Sequence, residues 1–165
     1  MIEIDKCHRD FIYGIVRALK PKHILELGFG TGLTNAAITK AAKENTLGST
    51  TVVDNFLDWN GERPPHITEN EYTLIVDSED HFIRNATQKY DLIVADADHN
   101  GTHKITKEIV GLLNPHGVAI FHDVTCDLFP NLRKIIADLP SAILFDKSSV
   151  DEEECHRGLL VYFSP

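Results

Sequence analysis

Ionisable side chains are concentrated in two short stretches of the sequence, each directly after an apolar run. They are Asp96, Asp98 and His99 after "DLIVA", and His122 and Asp123 after "GVAIF". Carboxylates and imidazoles crowded together at one edge of a sheet repel or desolvate one another unless they share a proton or a cation. The two stretches therefore indicate a site for proton transfer, for a divalent metal ion, or for both.

Asp96 and Asp123 are the candidate metal ligands, because carboxylate oxygens suit Mg²⁺, which keeps water and substrate oxygens in its other positions. His122 is a candidate further ligand, and an imidazole there shifts the preferred metal towards zinc, iron or manganese. Alternatively His122 is the general base, since an imidazole titrates near neutral pH, and His99 is the rival base. For Asp98, a loop-capping role is the alternative to catalysis.

A second chemical feature is the stretch "HILELGFGTGLT". Gly28, Gly30 and Gly32 stand at alternate positions where a strand ends and a helix begins, which lets a ligand approach the backbone closely. A dinucleotide loop has the spacing G-x-G-x-x-G, but its third glycine is replaced here by Leu33. Glu26 adds a carboxylate that would repel a pyrophosphate. The loop therefore predicts a cationic, phosphate-free nucleoside as ligand.

These residues need a scaffold, and short apolar runs alternating with helical periodicity predict a mostly parallel sheet covered by helices on both faces. The predicted strands lie at residues 23–28, 50–55, 73–78, 91–96, 117–123, 142–147 and 158–163. The predicted helices lie at 8–20, 34–45, 79–88, 102–113 and 129–139. Ligands bind beyond the carboxyl ends of such strands, so the two ionisable stretches are expected to meet there.

The composition predicts one folded domain over residues 1–165, because 42% of the residues are hydrophobic and 25% are charged. A net charge of −9 disfavours nucleic acid as a partner, since Lys and Arg supply most of that affinity. The sequence has no apolar run of the roughly 20 residues that a membrane span needs. Three distant cysteines, Cys7, Cys126 and Cys155, fit reduced thiols. A cytoplasmic protein is expected.

Taken in order, the motifs resemble those of the S-adenosylmethionine-dependent methyltransferases of the seven-strand, Rossmann-like class, whose last strand is antiparallel. The first motif of that class is similar to "ELGFGTG". The resemblance implies that Glu26 lies near the amino-acid end of the cofactor and that the three glycines lie under its ribose and methionine. It further implies that Asp54 binds the ribose hydroxyls and that Asp77 and Ser78 recognise adenine, with Asp96 as a further cofactor contact.

The later motifs "ADADHNGTH" and "GVAIFHDV" resemble one branch of that class, the small-molecule and sugar O-methyltransferases. The resemblance implies methyl transfer to a hydroxyl of a small molecule, with or without a divalent cation. In the metal-dependent members an acid follows strand four and an acid pair or acid-amide pair follows strand five. Asp96 and Asp123 match two of those positions, whereas His122 and Val124 depart from the third.

Three further expectations remain open at the level of the sequence. The alternative to an enzyme is a non-catalytic cofactor-binding module that acts in protein interaction or regulation. The long connection at residues 55–72, with Trp59, is either a lid over the acceptor or a surface insertion. An exposed edge strand near the carboxyl terminus is a candidate surface for a homodimer. A nicotinamide-dependent oxidoreductase is disfavoured by the glycine spacing and by Glu26.

Overall fold

The protein is represented by a computed structural model that describes residues 6–57, 72–145 and 157–165. A single sheet of seven strands has the order β3-β2-β1-β4-β5-β7-β6. The strands are β1 His23–Leu27, β2 Ser49–Asp54, β3 Thr73–Val76, β4 Tyr90–Ala95, β5 Leu113–His122, β6 Ile143–Phe145 and β7 Leu159–Phe163. Strands β1 to β5 pair in parallel, whereas β7 runs antiparallel to β5 and β6. The predicted α/β fold with an antiparallel last strand is confirmed.

Helices cover both faces of this sheet. They are α1 Lys6–Leu19, α2 Leu33–Glu44, α3 Glu79–Asn85, α4 Thr106–Gly111 and α5 Arg133–Asp138, with short 3-10 helices at Thr102–Lys104 and Pro130–Leu132. One apolar cluster joins α1 and α2 to the sheet, and another joins α3, α4 and α5 to the opposite face. Ile24 belongs to the first cluster and Leu25 to the second, because successive side chains of a strand point to opposite faces.

The predicted helix over residues 102–113 is wrong in its boundaries. A 3-10 turn and the short helix α4 replace it, and β5 already begins at Leu113. The reason is that Tyr90 donates its backbone N–H to the Leu112 carbonyl at 2.8 Å, so strand pairing starts directly at the helix end. Pro115 lies inside β5 rather than in a separating turn, and the register of β4 and β5 shifts between Tyr90 and Leu92.

Two sequence features fall outside the described residues. They are most of the long connection at 55–72, including Trp59, and the acidic run at 151–155 with Cys155. Cys7 is partly buried and Cys126 is buried, and their expected reduced state stays a prediction. None of the helices in the described ranges combines the length and the apolar content that crossing a membrane requires.

Candidate functional site

A cavity of about 540 Å³ opens at the carboxyl ends of the parallel strands. Its wall is formed by the glycine loop after β1, by Asp54 at the end of β2, by Asp77 after β3, by residues 96–100 after β4, and by Asp123 after β5. A volume of this size lies within the range of ordinary small-molecule sites. The parallel topology therefore brings most of the predicted site residues to one cavity.

Each of the three loop glycines has a left-handed backbone but a different neighbourhood. A Cβ at Gly28, whose φ is +88°, would lie 2.3 Å from the Asp96 carbonyl oxygen, so the ends of β1 and β4 can approach only with glycine there. A Cβ at Gly32 would lie 2.7 Å from the Phe29 ring. At Gly30 a Cβ would meet no described atom within 4 Å, which leaves the backbone open towards the cavity.

Asp54 holds the glycine loop in place. Its Oδ2 accepts hydrogen bonds from the backbone N–H groups of Phe29 at 2.6 Å and Gly30 at 3.4 Å. Its Oδ1 accepts a hydrogen bond from the Phe56 N–H at 2.6 Å. Because Asp54 also lines the cavity, one carboxylate both shapes the loop and faces the ligand space. The role of Asp54 as a ribose contact stays a prediction.

Glu26 is fully buried and points from β1 towards α2 rather than into the cavity wall. Asn35 of α2 donates a hydrogen bond of 2.6 Å to its Oε2. Burial raises the pKa of Glu26 to about 8, and the charges of Asp96 and Asp54 add to that effect. At pH 7 the carboxyl is mostly protonated, so its expected repulsion of a pyrophosphate is weakened. The predicted contact with the cofactor stays a prediction.

The side chains of Asp77 and Ser78, which follow β3, make different contacts. Asp77 lines the cavity and its Oδ2 lies 2.6 Å from the Nδ1 of His81, which lowers the pKa of Asp77 and raises that of His81. Ser78 is the N-cap of α3, and its hydroxyl accepts a hydrogen bond from the His81 N–H at 3.3 Å. Of the two, Asp77 is therefore the better placed for the predicted adenine contact.

Glu79 is a cavity residue that the sequence reasoning missed. Its Oε2 accepts hydrogen bonds from the Asp98 N–H at 3.2 Å and the Thr102 hydroxyl at 2.9 Å, which connects α3 to the loop after β4. Burial raises the pKa of Glu79 to about 7. A glutamate at the first position of a helix is ordinary in sequence, so no pattern distinguishes this one.

The structure brings four of the five ionisable residues into direct contact. His99 Nε2 lies 3.0 Å from Asp123 Oδ2 and 3.8 Å from Asp96 Oδ1. His122 Nδ1 lies 3.3 Å from Asp96 Oδ1 and 3.2 Å from Asp123 Oδ1. Asp98 instead accepts a hydrogen bond from the Asn100 N–H at 2.9 Å, which is the loop-capping role.

Charge complementarity fixes the protonation of this cluster. Burial alone would raise the pKa of Asp123, but the imidazoles of His122 and His99 hold it well below its usual range. Burial alone would lower the pKa of His122, but the charges of Asp96 and Asp123 raise it to about 10. Burial lowers the pKa of His99, but its hydrogen bond with Asp123 and the charges of Asp96 and Asp123 together raise it above its usual value. Asp123 is therefore an ionised carboxylate between two histidines.

His8 of α1 is a second residue that the sequence reasoning missed. Its Nδ1 lies 2.9 Å from the Nε2 of His122, and both rings are buried. Ile12 and Val16, which follow His8 at helical spacing, are fully buried on the same face of α1. That spacing was the available evidence that His8 faces the sheet rather than solvent.

Two side chains complete the wall beside the cluster. The Phe129 ring stacks on the His99 ring with centroids 4.0 Å apart and planes inclined by 28°. The Nε of Arg157, a buried residue just before β7, lies 3.8 Å from Asp123 Oδ1. Neither residue belongs to a motif in the sequence, and only the fold brings them to the end of β5.

The donor set of the cluster fits a divalent cation. One ligand atom each from Asp96, His99 and Asp123 can be chosen so that all three lie within 4.8 Å of one another. Two carboxylates with an imidazole suit first-row divalent ions. Asp123 also has a left-handed backbone with φ of +60°, an uncommon conformation for a residue other than glycine.

Comparisons with known structures agree with this architecture. The O-methyltransferase TomG of Streptomyces achromogenes, solved with S-adenosylmethionine, is 12% identical with a TM-score of 0.74 over 99% of this chain and 82% of that chain. PaMTH1 of Podospora anserina, solved with S-adenosylhomocysteine, is 16% identical with a TM-score of 0.72 over 99% and 80%. The Bacillus cereus O-methyltransferase, also with S-adenosylhomocysteine, is 14% identical with a TM-score of 0.68 over 99% and 83%.

Because the sequence identities are only 12% to 16%, these structural matches establish the fold alone. A search of curated proteins found no match. The decisive finding is the match of residues 25–124 to the protein family described as "Methyltransferase domain", a segment that includes the glycine loop and all four residues of the ionisable cluster. The resemblance to methyltransferases inferred from the sequence is thereby confirmed. This chain belongs to the methyltransferase-domain family.

Proposed function

We propose that this protein transfers the methyl group of S-adenosylmethionine to a hydroxyl of a small molecule. The observation that carries the proposal is that the His99–Asp123 pair lines the same cavity as the glycine loop. A loop that exposes its backbone suits the cofactor, and a histidine paired with a carboxylate suits removal of a proton from the acceptor. The O-methyltransferases among the similar structures, solved with this cofactor or its product, support the same reaction.

The cofactor would lie along the glycine loop, between the ends of β1 and β3. Gly30 leaves the backbone open there, while Asp54 and Asp77 supply carboxylates on the cavity wall. The residues that we assign to the cofactor are Glu26, Gly28, Gly30, Gly32, Asp54, Asp77, Ser78 and Asp96. Among these, Glu26 would act from behind the loop, because it is fully buried.

The acceptor hydroxyl would lie beside His99. Because Asp123 is ionised, the Nε2 of a neutral His99 must donate the hydrogen of their 3.0 Å contact, which leaves Nδ1 as the basic nitrogen. The acceptor oxygen gives its proton to His99 and forms a bond to the methyl carbon, while the carbon–sulfur bond breaks. The electron pair of that bond stays on sulfur, and neutral S-adenosylhomocysteine leaves.

Asp96 and Asp123 would hold a divalent cation as an aid to this step. Such an ion, when bound, lowers the pKa of a hydroxyl that coordinates it and fixes the position of its oxygen. In the absence of an ion, His122 supplies the positive charge between the same carboxylates. The chain's own residues therefore keep Asp123 ionised and hold both carboxylates near the acceptor.

Turnover tests the role of His99. We expect S-adenosylhomocysteine to form when the protein is mixed with S-adenosylmethionine and a panel of hydroxylated small molecules. His99→Gln keeps an amide near the Nε2 position, so we expect it to preserve product affinity but to lower kcat by about 10²–10⁴-fold. Mass spectrometry of the methylated product measures the rate. If His99→Gln turns over as fast as the wild-type protein, His99 is not the general base.

We also propose that two copies of the chain associate through the exposed edge of the sheet. β6 is the last strand in the sheet order, and Ile143 and Leu144 are 51% and 38% exposed. Multi-angle light scattering should give twice the mass of one chain for the wild-type protein. For Leu144→Lys, which places a charge on that edge, we expect the mass of a single chain. A monomeric wild-type protein at micromolar concentration rejects this assembly.

A further inference from the structure

One positively charged side chain stands in the wall of an otherwise acidic cavity. Arg157, only 4% exposed, is the one lysine or arginine among the described residues that line the cavity. The same wall contains six carboxyl side chains, and the whole chain has a net charge of −9. Arginine is rarely buried, because its guanidinium loses hydration that only an ionic or hydrogen-bonding partner replaces. A buried arginine in a ligand cavity is therefore a candidate for binding an anion.

The backbone of Arg157 is fixed against the segment that follows β5. Thr125 donates its N–H to the Arg157 carbonyl at 3.3 Å. Val124 donates its N–H to the carbonyl of the next residue, Gly158, also at 3.3 Å. Gly158 has a φ of +59°, and a Cβ there would lie 2.4 Å from the Thr125 hydroxyl oxygen. Glycine therefore lets the two segments approach, and this approach holds Arg157 beside the end of β5.

The two ends of the cavity differ in charge. At the end that we assign to the cofactor, Asp54 and Asp77 line the wall, which suits the positive charges of S-adenosylmethionine. Arg157 lies at the other end, because β5 and β7, whose ends hold it, lie beyond β4 when the sheet is followed from β1. A second cation beside the sulfonium would be repelled by it. The position of Arg157 therefore suits an anionic group of the acceptor rather than the cofactor.

Arg157 and the proposed base His99 contact the same carboxylate. His99 Nε2 lies 3.0 Å from Asp123 Oδ2, and Arg157 Nε lies 3.8 Å from Asp123 Oδ1. The base and the cation are therefore close enough to contact two groups of one small molecule. The Phe129 ring, which stacks on His99, adds an apolar surface to this end of the cavity. A molecule with a hydroxyl and an anionic group on an apolar body fits these side chains.

The chemistry of a single guanidinium favours a carboxylate as the anionic group. The planar fork of N–H groups matches the two oxygens of a carboxylate, and such charge-assisted pairs are strong. A phosphate ester offers similar oxygens but carries up to about two negative charges at neutral pH. Arg157 is alone among the described lining residues as a lysine or arginine, so one cation faces one charge best when the ligand is a carboxylate.

We propose that Arg157 binds a carboxylate of the acceptor, so that the substrates are hydroxycarboxylic acids with an apolar body. Arg157 holds the carboxylate, and the hydroxyl of the same molecule faces His99. The inference rests on the proposed methyl transfer and deepens it by naming the substrate class. Binding of an acid to the complex with S-adenosylhomocysteine is measurable without turnover.

Calorimetric titration of the full-length protein, saturated with S-adenosylhomocysteine, compares matched acids and amides. The probes are protocatechuate, salicylate and phenyllactate, each paired with its carboxamide, which has nearly the same shape but no charge. We expect at least one acid to bind about 10-fold more tightly than its amide, or better. Arg157→Gln should weaken that acid by at least about 10-fold but change the affinity of its amide by less than about threefold. The preference for the acid should therefore disappear.

Two further variants separate recognition from a general effect of charge. Arg84→Gln removes an arginine of α3 that pairs with Asp80 and is not part of the cavity wall, so the preference should equal that of the wild-type protein. Arg157→Lys keeps the charge but loses the paired donors, and should retain only part of the preference. Melting temperatures show whether each variant is folded. If Arg157→Gln is unfolded, a crystal structure of the wild-type complex with the tightest acid must show its carboxylate hydrogen-bonded to Arg157.

Several results would overturn the inference. They are the absence of acid binding at millimolar concentration, equal affinities for acid and amide in every pair, or a preference that persists in Arg157→Gln. An equal loss of acid and amide binding in Arg157→Gln would show a structural role only. Loss of S-adenosylhomocysteine binding in the folded variant would place Arg157 at the cofactor instead. Tighter binding of phenyl phosphate than of any acid would replace the carboxylate by a phosphate.

Turnover on the same samples separates this inference from the proposed function. Methylation of neutral hydroxylated molecules, without a preference for acids, rejects only the role of Arg157. Binding of an acid through Arg157 without formation of S-adenosylhomocysteine from S-adenosylmethionine rejects the proposed methyl transfer but keeps the carboxylate site.

Discussion

At the scale of single residues, the site depends on buried carboxyls whose charge is set by their neighbours. Asp123 stays ionised because two imidazoles flank it, whereas the pKa values of Glu26 and Glu79 are raised because burial outweighs their hydrogen bonds. The sequence identified Asp123 and Glu26 by their motifs. It did not indicate Glu79, because burial of a polar side chain is decided by packing between elements distant in the chain. For His8 the sequence held only the helical spacing with Ile12 and Val16, which indicates a buried face but not the contact with His122.

Glu79 makes the stability of the protein depend on pH. Its pKa is about 7 in the folded protein and 4.5 ordinarily, so the folded state keeps a proton that the unfolded state loses. Its stabilising effect is fully present below pH 4.5 and is lost as pH rises towards 7. Relative to Glu79→Gln, which does not titrate, we expect the wild-type free energy of unfolding to fall by up to about 3 kcal/mol over that interval. Urea unfolding at several pH values measures it, and a difference independent of pH refutes the prediction.

At the scale of elements, the strand ends were predictable because apolar runs and glycine spacing are local properties. The glycine loop between β1 and α2, and the polar stretches after β4 and β5, lie where the pattern of the sequence placed them. The boundary of α4 was not predictable, because pairing of Tyr90 with Leu112 starts β5 early. Long-range strand pairing decided that boundary against the local tendency for a helix.

Gly28→Ala tests whether the loop is sterically required. The new Cβ would lie 2.3 Å from the Asp96 carbonyl oxygen at a φ of +88°, so we expect a loss of at least about 2 kcal/mol of unfolding free energy. Gly111→Ala in α4 is the control, since a Cβ there meets no described atom within 4 Å and should change stability by no more than about 1 kcal/mol. Similar melting temperatures for both variants would contradict this prediction, because they would show that the ends of β1 and β4 can move apart without loss of stability.

At the scale of the whole molecule, the sheet order explains how a sequence-distant set becomes one site. β1 and β4 are neighbours in the centre of the sheet and β5 follows β4, so the glycine loop and the ionisable cluster share one edge. His8 reaches the same cluster from α1, on one face of the sheet, and Arg157 reaches it from the segment before β7. The alternation of apolar runs with helical periodicity in the sequence predicted this fold. It did not predict the contacts of His8 and Arg157 with the cluster, because these depend on how the helices pack on the sheet.

The most direct test of the proposed methyltransferase function is isothermal titration of the protein with S-adenosylhomocysteine. We expect one molecule to bind per chain with micromolar affinity. Gly30→Leu, which fills the open side of the loop, should abolish binding, while Gly14→Leu on the exposed face of α1 should not change it. An absence of binding heat at several temperatures, or equal affinity of the wild-type protein and Gly30→Leu, would contradict the assignment of this cavity to the cofactor.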